Sequence, residues 1–338
     1  MFRISTSVIH VAFLVSLGFG FIGLPALAVE SPGTGKTART GIATDESRFA
    51  LEVVKLGLAK LGYETPDTVS TSVQAGYVST SQGDLDIWGE YWEPHHEVYL
   101  DKAGGTDVLK PVGVLVDGAF GGYMIDKKTW SEKNIRNIEQ LKDPKVAALF
   151  DSDGDGRANF AGCPVGWGCD PIIANHLKVY GLEETVQNEQ GDFLVTHSDV
   201  ISRYKAGKPV FYYTYGPLWL NTVLVPGKDV EFLEVPFANL PGDKKPKTTT
   251  KLPDGRNIGF EMMRIRLVGN NDFLAANPAA AKFIELASVP LSAVDAENLK
   301  IYEGEKSYDQ IKAHAAAWVK ENQATFDGWV AEAMKAGK

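Results

Sequence analysis

"GCPVGWGCDPI", Gly162 to Ile172, holds the two cysteines of the 338-residue chain, and its reading decides the rest. Five residues separate Cys163 from Cys169, and Trp167 stands between two glycines just before the second cysteine. So small a loop is a redox pair, half of a metal site, or a disulfide that fixes a binding surface. The next residues give it a direction. Asp170 suits a helix N-cap and Pro171 the first helical position. The N–H groups near Gly168 and Cys169 then sit at a helix N-terminus, where an anion is favoured. Trp167 beside them offers a ring face to a cation. Together they suit a zwitterion.

The compartment chooses among the three readings. Residues 1–28 combine Arg3, an apolar run from Val11 to Leu24, and the small-x-small site Ala26-Leu27-Ala28. That is a cleavable secretory signal peptide. In an oxidising compartment two cysteines form a disulfide, here Cys163–Cys169. With the thiols bonded, and His95 and His96 merely adjacent, a zinc site lacks ligands. Closing so short a loop is worth only about 2 kcal/mol, so the main effect of the bond is to preorganise Trp167 and the donors beside it.

Residues 29–43 read as a flexible leader. Their "SPGTGKT" imitates a phosphate loop, but Glu30 stands where the first glycine is required. Cleavage removes Arg3 and no acid, so the mature chain is one unit more acidic than the formal −9 of the whole. That balance disfavours nucleic acid as a partner. A 44% hydrophobic share fits an ordinary globular protein. Phe49, Val53, Leu56 and Ala59 recur at helical spacing, and Gly62 ends the pattern. Strand-like runs follow: "VGVLV" at 112, "YMI" at 123, "PVFYYTY" at 209 and "EFLEV" at 231. Alternation with helices predicts an α/β fold with largely parallel sheets. Residues 238–257 read as a polar loop. From Asn277 onward the chain reads as helical, with Ile311, Ala315, Trp318 and Val319 on one face.

Catalytic motifs are scarce: there is no Gly-x-Ser-x-Gly elbow and no His-Glu-x-x-His helix. Asp151, Asp153 and Asp155 copy the start of a calcium loop, yet Gly162 stands where its glutamate belongs. A tight Asp/Gly turn explains them better. The aromatic residues say more. "YWEPHH", "GWGCDP" and "YYTYGPLW" place rings next to Gly and Pro, at element ends where binding surfaces sit. A quaternary ammonium has no N–H to donate, and ring faces are its natural hosts.

These residues resemble the periplasmic glycine betaine/proline betaine-binding proteins of ABC importers. The resemblance rests on "WEPHH", "GYMIDKKT", "NIEQLKDPKVAALFDSDGDG", "GCPVGWGCDPI", "ISRYKAGKPVFYYTYGP" and "FDGWV", and runs from about Asp45 to the C-terminus. It implies a type II two-lobed fold with the ligand in the interlobe cleft. Residues 44–118 with 232–338 would form one lobe, and 119–231 the other. It implies a box of three rings for the ammonium, falling on Trp92, Trp167 and Tyr215, with Tyr215 where the family has tryptophan. The nearby Trp219 is the candidate to compensate. It implies that His96, rather than His95, and the N–H groups of Gly168 and Cys169 hold the carboxylate. The protein would then be a monomeric periplasmic receptor without cofactor or metal. It would hand an osmolyte to a membrane permease and its ATPase subunits. Other readings are a receptor for choline or a dimethylsulfonio acid, and a secreted calcium-dependent enzyme built on Asp151, Asp153 and Asp155.

Overall fold

The computed structural model describes Met1, Phe2 and residues 31–338. The rest of the expected signal peptide, residues 3–28, lies outside the described residues. Nine strands form one sheet among the described residues: β1 Thr40–Ile42, β2 Val69–Ser70, β3 Ile87–Glu93, β4 Leu109–Asp126, β5 Ala158–Ala161, β6 Val186–Glu189, β7 Phe211–Gly216, β8 Val230–Phe232 and β9 Met263–Asn270. Their order is β2-β1-β3-β9-β4-β7-β5-β6, with β8 also on β4.

The fold is α/β, but the sheet is mixed rather than largely parallel. β1 pairs parallel with β2 and β3, and β5 with β6 and β7. Every pair made by β4 and β9 is antiparallel. Two facts account for the difference. "VGVLV" and "YMI" belong to one 18-residue strand, β4, which stays continuous through register shifts around Val116, with Gly113 and Gly118 at positive φ. β9 buries Met263, Ile265 and Leu267 at period two while Arg264 and Arg266 alternate outward, a pattern the apolar-run reading passes over.

The expected leader is also shorter. Thr40–Ile42 is a buried strand between β2 and β3, Ala38 is buried, and Gly33 lies against Tyr63. A short Gly/Thr stretch looks like linker in sequence, but its backbone groups are paired in the sheet.

Two main hydrophobic cores divide the chain. The first joins the helix Arg48–Lys60 to the C-terminal helices, with Leu51, Val54, Phe283 and Phe326 fully enclosed. The second gathers Tyr123, Phe150, Phe160, Tyr212 and Phe260. β4 serves both: Val112, Val116 and Ala119 face the first, and Tyr123 to Ile125 the second. Leu233, Val235, Ile258 and Phe260 pack with the second core. β8 pairs with Met124–Asp126 on that half of β4.

Gly57 shows how tightly the first core is closed. An added Cβ there would fall 1.8 Å from Phe283 Cζ. Alanine inside a helix ordinarily gains about 1 kcal/mol over glycine. Overpacking of this severity costs about 1–3 kcal/mol or more. Gly57→Ala is therefore expected to destabilise the protein in urea unfolding; an unchanged or raised midpoint would show that Phe283 has room to move.

Candidate functional site

Three separate segments converge on one cavity. The first is the end of β3. Trp88, Glu90 and Trp92 alternate along it; Trp88 and Glu90 are buried, and Trp92 packs against both main cores. After Pro94 the chain turns, with the His96 N–H on the Trp92 carbonyl at 2.9 Å. The buried His96 ring places Nδ1 2.9 Å from the Glu90 carbonyl oxygen. Its Cδ2 lies 3.3 Å from where a Cβ on Gly168 would stand, so the opposite edge of the ring faces the second segment.

That second segment is the opening stretch. Cys163 and Cys169 are bonded, with Cα atoms 6.0 Å apart, as expected. The N-cap of the helix Asp170–Val179 is Cys169, one residue earlier than expected. The Asp170 carboxylate instead takes the Gly166 N–H at 3.1 Å and Gln190 Nε2 at 2.6 Å, tying the loop to its neighbour. The N–H groups of Gly168 and Cys169 find no acceptor among the described residues. They lie at the start of a ten-residue helix, which favours negative charge.

The third segment is β7. Its period of two puts Tyr213 and Tyr215 on one side, their rings stacked with centroids 6.3 Å apart. Trp92 meets Tyr215 at 5.5 Å and 87°, and Trp167 meets it at 5.9 Å and 74°. Behind Trp167, Phe193 stacks at 5.6 Å, and His197 lies against Phe193 at 3.7 Å. The wall is therefore several rings deep, which restricts Trp167 in the empty site.

The cavity, about 510 Å³ of space including its open side, is lined by Trp92, His96, Trp167, Gly168, Cys169 and Tyr215. These are the six residues singled out in the sequence. Thr44, Val73, Glu90, His95, Tyr213 and Met263 complete it, and the sequence reading had not assigned them a place there. Trp219 does not line it; it stacks on Tyr302 at 4.1 Å and 5° and so cannot supplement Tyr215.

Glu90 is the detectable omission: a carboxylate between Trp88 and Trp92 on a buried strand needs partners. It accepts from the N–H of Ala43, the N–H of Thr44 (3.0 Å) and the Thr44 hydroxyl. Burial pushes its pKa up, and these donors oppose the rise. Burial also lowers His95 to about 3 and His96 to about 4, so both rings are neutral at pH 7 in the empty site. His95 Nε2 is buried without a partner. The Tyr99 hydroxyl donates to the Gly166 carbonyl at 2.7 Å, joining the His96 segment to the Trp167 loop, and Lys247 pairs with Glu97.

The Asp151–Asp155 segment lies outside this cavity. Asp151 accepts from the N–H groups of Gly154 (2.7 Å) and Gly156 (2.8 Å), and Asp155 from that of Arg157 (2.8 Å). Its carboxylates fold onto their own backbone, as a tight turn does.

A two-lobed α/β frame around a ring-lined cavity with free N–H donors defines a substrate-binding protein. The chain belongs to the family described as the substrate binding domain of ABC-type glycine betaine transport systems, matched over residues 41–321. It is 42% identical over 312 residues to the glycine betaine-binding periplasmic protein OusX of Dickeya dadantii (strain 3937), covering 92% of this chain and 94% of that one. It is also 42% identical to the glycine betaine/proline betaine-binding periplasmic protein of Escherichia coli (strain K12), covering 94% of this chain and 96% of that one. Among solved structures, an ABC-transporter choline binding protein in complex with choline shares the fold at TM-score 0.67 and 18% identity, over 89% of this chain and 96% of that one.

The disulfide closes a short loop, worth about 2 kcal/mol. Replacing both Cys163 and Cys169 by serine should lower unfolding free energy by about that amount. Thiol titration of the native, unreduced protein should find none free; two free thiols would refute the bond.

Proposed function

We propose that this protein is an exported, monomeric receptor that captures glycine betaine or proline betaine in the cavity and delivers it to a membrane permease and its ATPase subunits. In this reading it performs no chemistry on the ligand, and it works in the periplasm, where its relatives' names place them. The observation that carries this is the convergence: rings from positions 92, 167 and 215 line one cavity together with His96 and the Gly168 and Cys169 N–H groups.

In this reading Trp92, Trp167 and Tyr215 host the quaternary ammonium, each ring contributing about 0.5–2 kcal/mol. His96, Gly168 N–H and Cys169 N–H hold the carboxylate. We take the lobes as residues 31–119 with 263–338, and 120–260, because the two main cores divide there. Trp92 and His96 then belong to one lobe, and Trp167 to Cys169 and Tyr215 to the other. The cage is whole only when the lobes meet, so ligand binding stabilises the closed form. That closed surface is what a permease can distinguish from the empty receptor.

Calorimetry with glycine betaine, proline betaine, choline and a dimethylsulfonio acid tests the reading. Trp167→Ala should weaken glycine betaine roughly 5- to 30-fold, since a desolvated cation loses one ring. Tyr215→Trp should tighten it if the larger ring fits, and weaken it if Trp92, 5.5 Å away, leaves no room. A Trp167→Ala protein that bound all four ligands like the wild type would end the cage assignment.

A further inference from the structure

His96 has a fixed tautomer, and the ligand must answer to it. The Glu90 carbonyl can only accept, so the ring nitrogen 2.9 Å away, Nδ1, must carry a proton. The same carbonyl also takes Trp88 Nε1 at 3.0 Å, which holds it in place. A neutral imidazole has one N–H, and His96 has spent it on Glu90. Its Nε2 is then a bare acceptor beside the Gly168 turn, with no hydrogen bond from any described residue. A carboxylate brings only acceptors. Set against a bare Nε2, it would meet one lone pair with another.

We propose that the proton on His96 Nε2 decides which quaternary ammonium the cavity takes. A carboxylate-bearing ligand binds together with one proton, which makes Nε2 a donor, whereas a hydroxyl-bearing ligand such as choline donates to the neutral ring. This rests on the reading of the cavity as a quaternary ammonium site. The proton comes from solvent and returns to it on release, so the exchange balances.

The surroundings permit the change. Around His96 stand Tyr77 from the helix Val73–Gln82 and Tyr99 from the helix Glu97–Lys102, with ring centroids at 6.0 and 5.4 Å. Burial raises both phenols, so neither ionises near neutrality. From its own segment come His95, Glu97 and the Glu90 carboxyl; from the facing turn come Asp170 and the bonded Cys169. No lysine or arginine lines the cavity among the described residues. Among the described residues two carboxyls outside the cavity lining are raised by burial into the same range: Glu46, beside Glu90, to about 7, and Asp295, near Leu218, to about 6.

The sign follows. Empty His96 is neutral above about pH 4. A bound carboxylate raises its pKa, so between the two values each betaine takes up a proton and affinity falls as pH rises, by roughly tenfold per unit at most. Choline follows no such slope.

The test is calorimetry of the full chain with glycine betaine and with choline at pH 6, 7 and 8, each in buffers of different ionisation enthalpy. Glycine betaine should take up close to one proton and choline none, so the ratio of their affinities should shift toward choline by up to about tenfold per pH unit. His96→Gln keeps an amide that can donate but not titrate; it should abolish both the uptake and the pH dependence of the ratio. Glu46→Gln should leave both intact. Glycine betaine binding without proton uptake at all three pH values would overturn the proposal while leaving the cage standing. So would uptake that survives His96→Gln or vanishes with Glu46→Gln, or choline failing to bind at pH 8. If neither ligand bound, the cage and this proposal would fall together.

Discussion

A cavity whose walls belong to two separately packed cores is only as well defined as the strand that joins them. β4 is that strand. Its first half is sealed into one core by Val112, Val116 and Ala119, its second into the other by Tyr123, Met124 and Ile125. The glycines along it relax the backbone between those two anchored halves. On one side of β4 lies β9, which pairs with β3 and so positions Trp92; on the other lies β7, which carries Tyr215. The rings that meet across the cavity are thus fixed by registers counted from one strand.

Glu90 does for the chemistry what β4 does for the frame. Its carboxyl gathers the N–H groups of Ala43 and Thr44, and its carbonyl fixes the His96 ring. A polar group so deeply placed is costly unless every lone pair is used. The partners that relieve the cost are the same groups that shape the cavity wall. The Glu90–His96 wall is therefore ordered before any ligand arrives, and a ligand need not spend binding energy on arranging that wall.

The parts of this arrangement that were legible in the sequence share a cause. Trp167 and Tyr215 stand next to Gly, and Trp92 two residues before Pro94, and such neighbours bring rings to the ends of elements, where they can face a cavity. The helix Arg48–Lys60 and the helical C-terminus were legible from periodicity. What escaped depends on partners distant in sequence. The strand Thr40–Ile42 has no apolar run to reveal it and exists because β2 and β3 flank it. β9 hides behind two arginines. Asp170 reads as a cap, but Gly166 and Gln190 claim its carboxylate first. The tautomer of His96 was beyond any local pattern, because it is set by a carbonyl six residues back whose direction only the folded strand determines.

The contact between the two cavity segments has a bearing on time rather than on strength. The Tyr99 hydroxyl reaches the Gly166 carbonyl of the Trp167 loop, and Tyr99 is itself stacked on Tyr77. If an occupant leaves only when those two segments part, it leaves no faster than that contact opens, however weak its own contacts. Residence in the cavity is then a property of that contact as much as of the occupant. Two occupants of unequal affinity can share one exit rate and differ instead in how often an encounter ends in capture. A transporter drawing on such a receptor would receive cargo at an interval set by the protein, and only the fraction of loaded receptors would report which cargo was abundant.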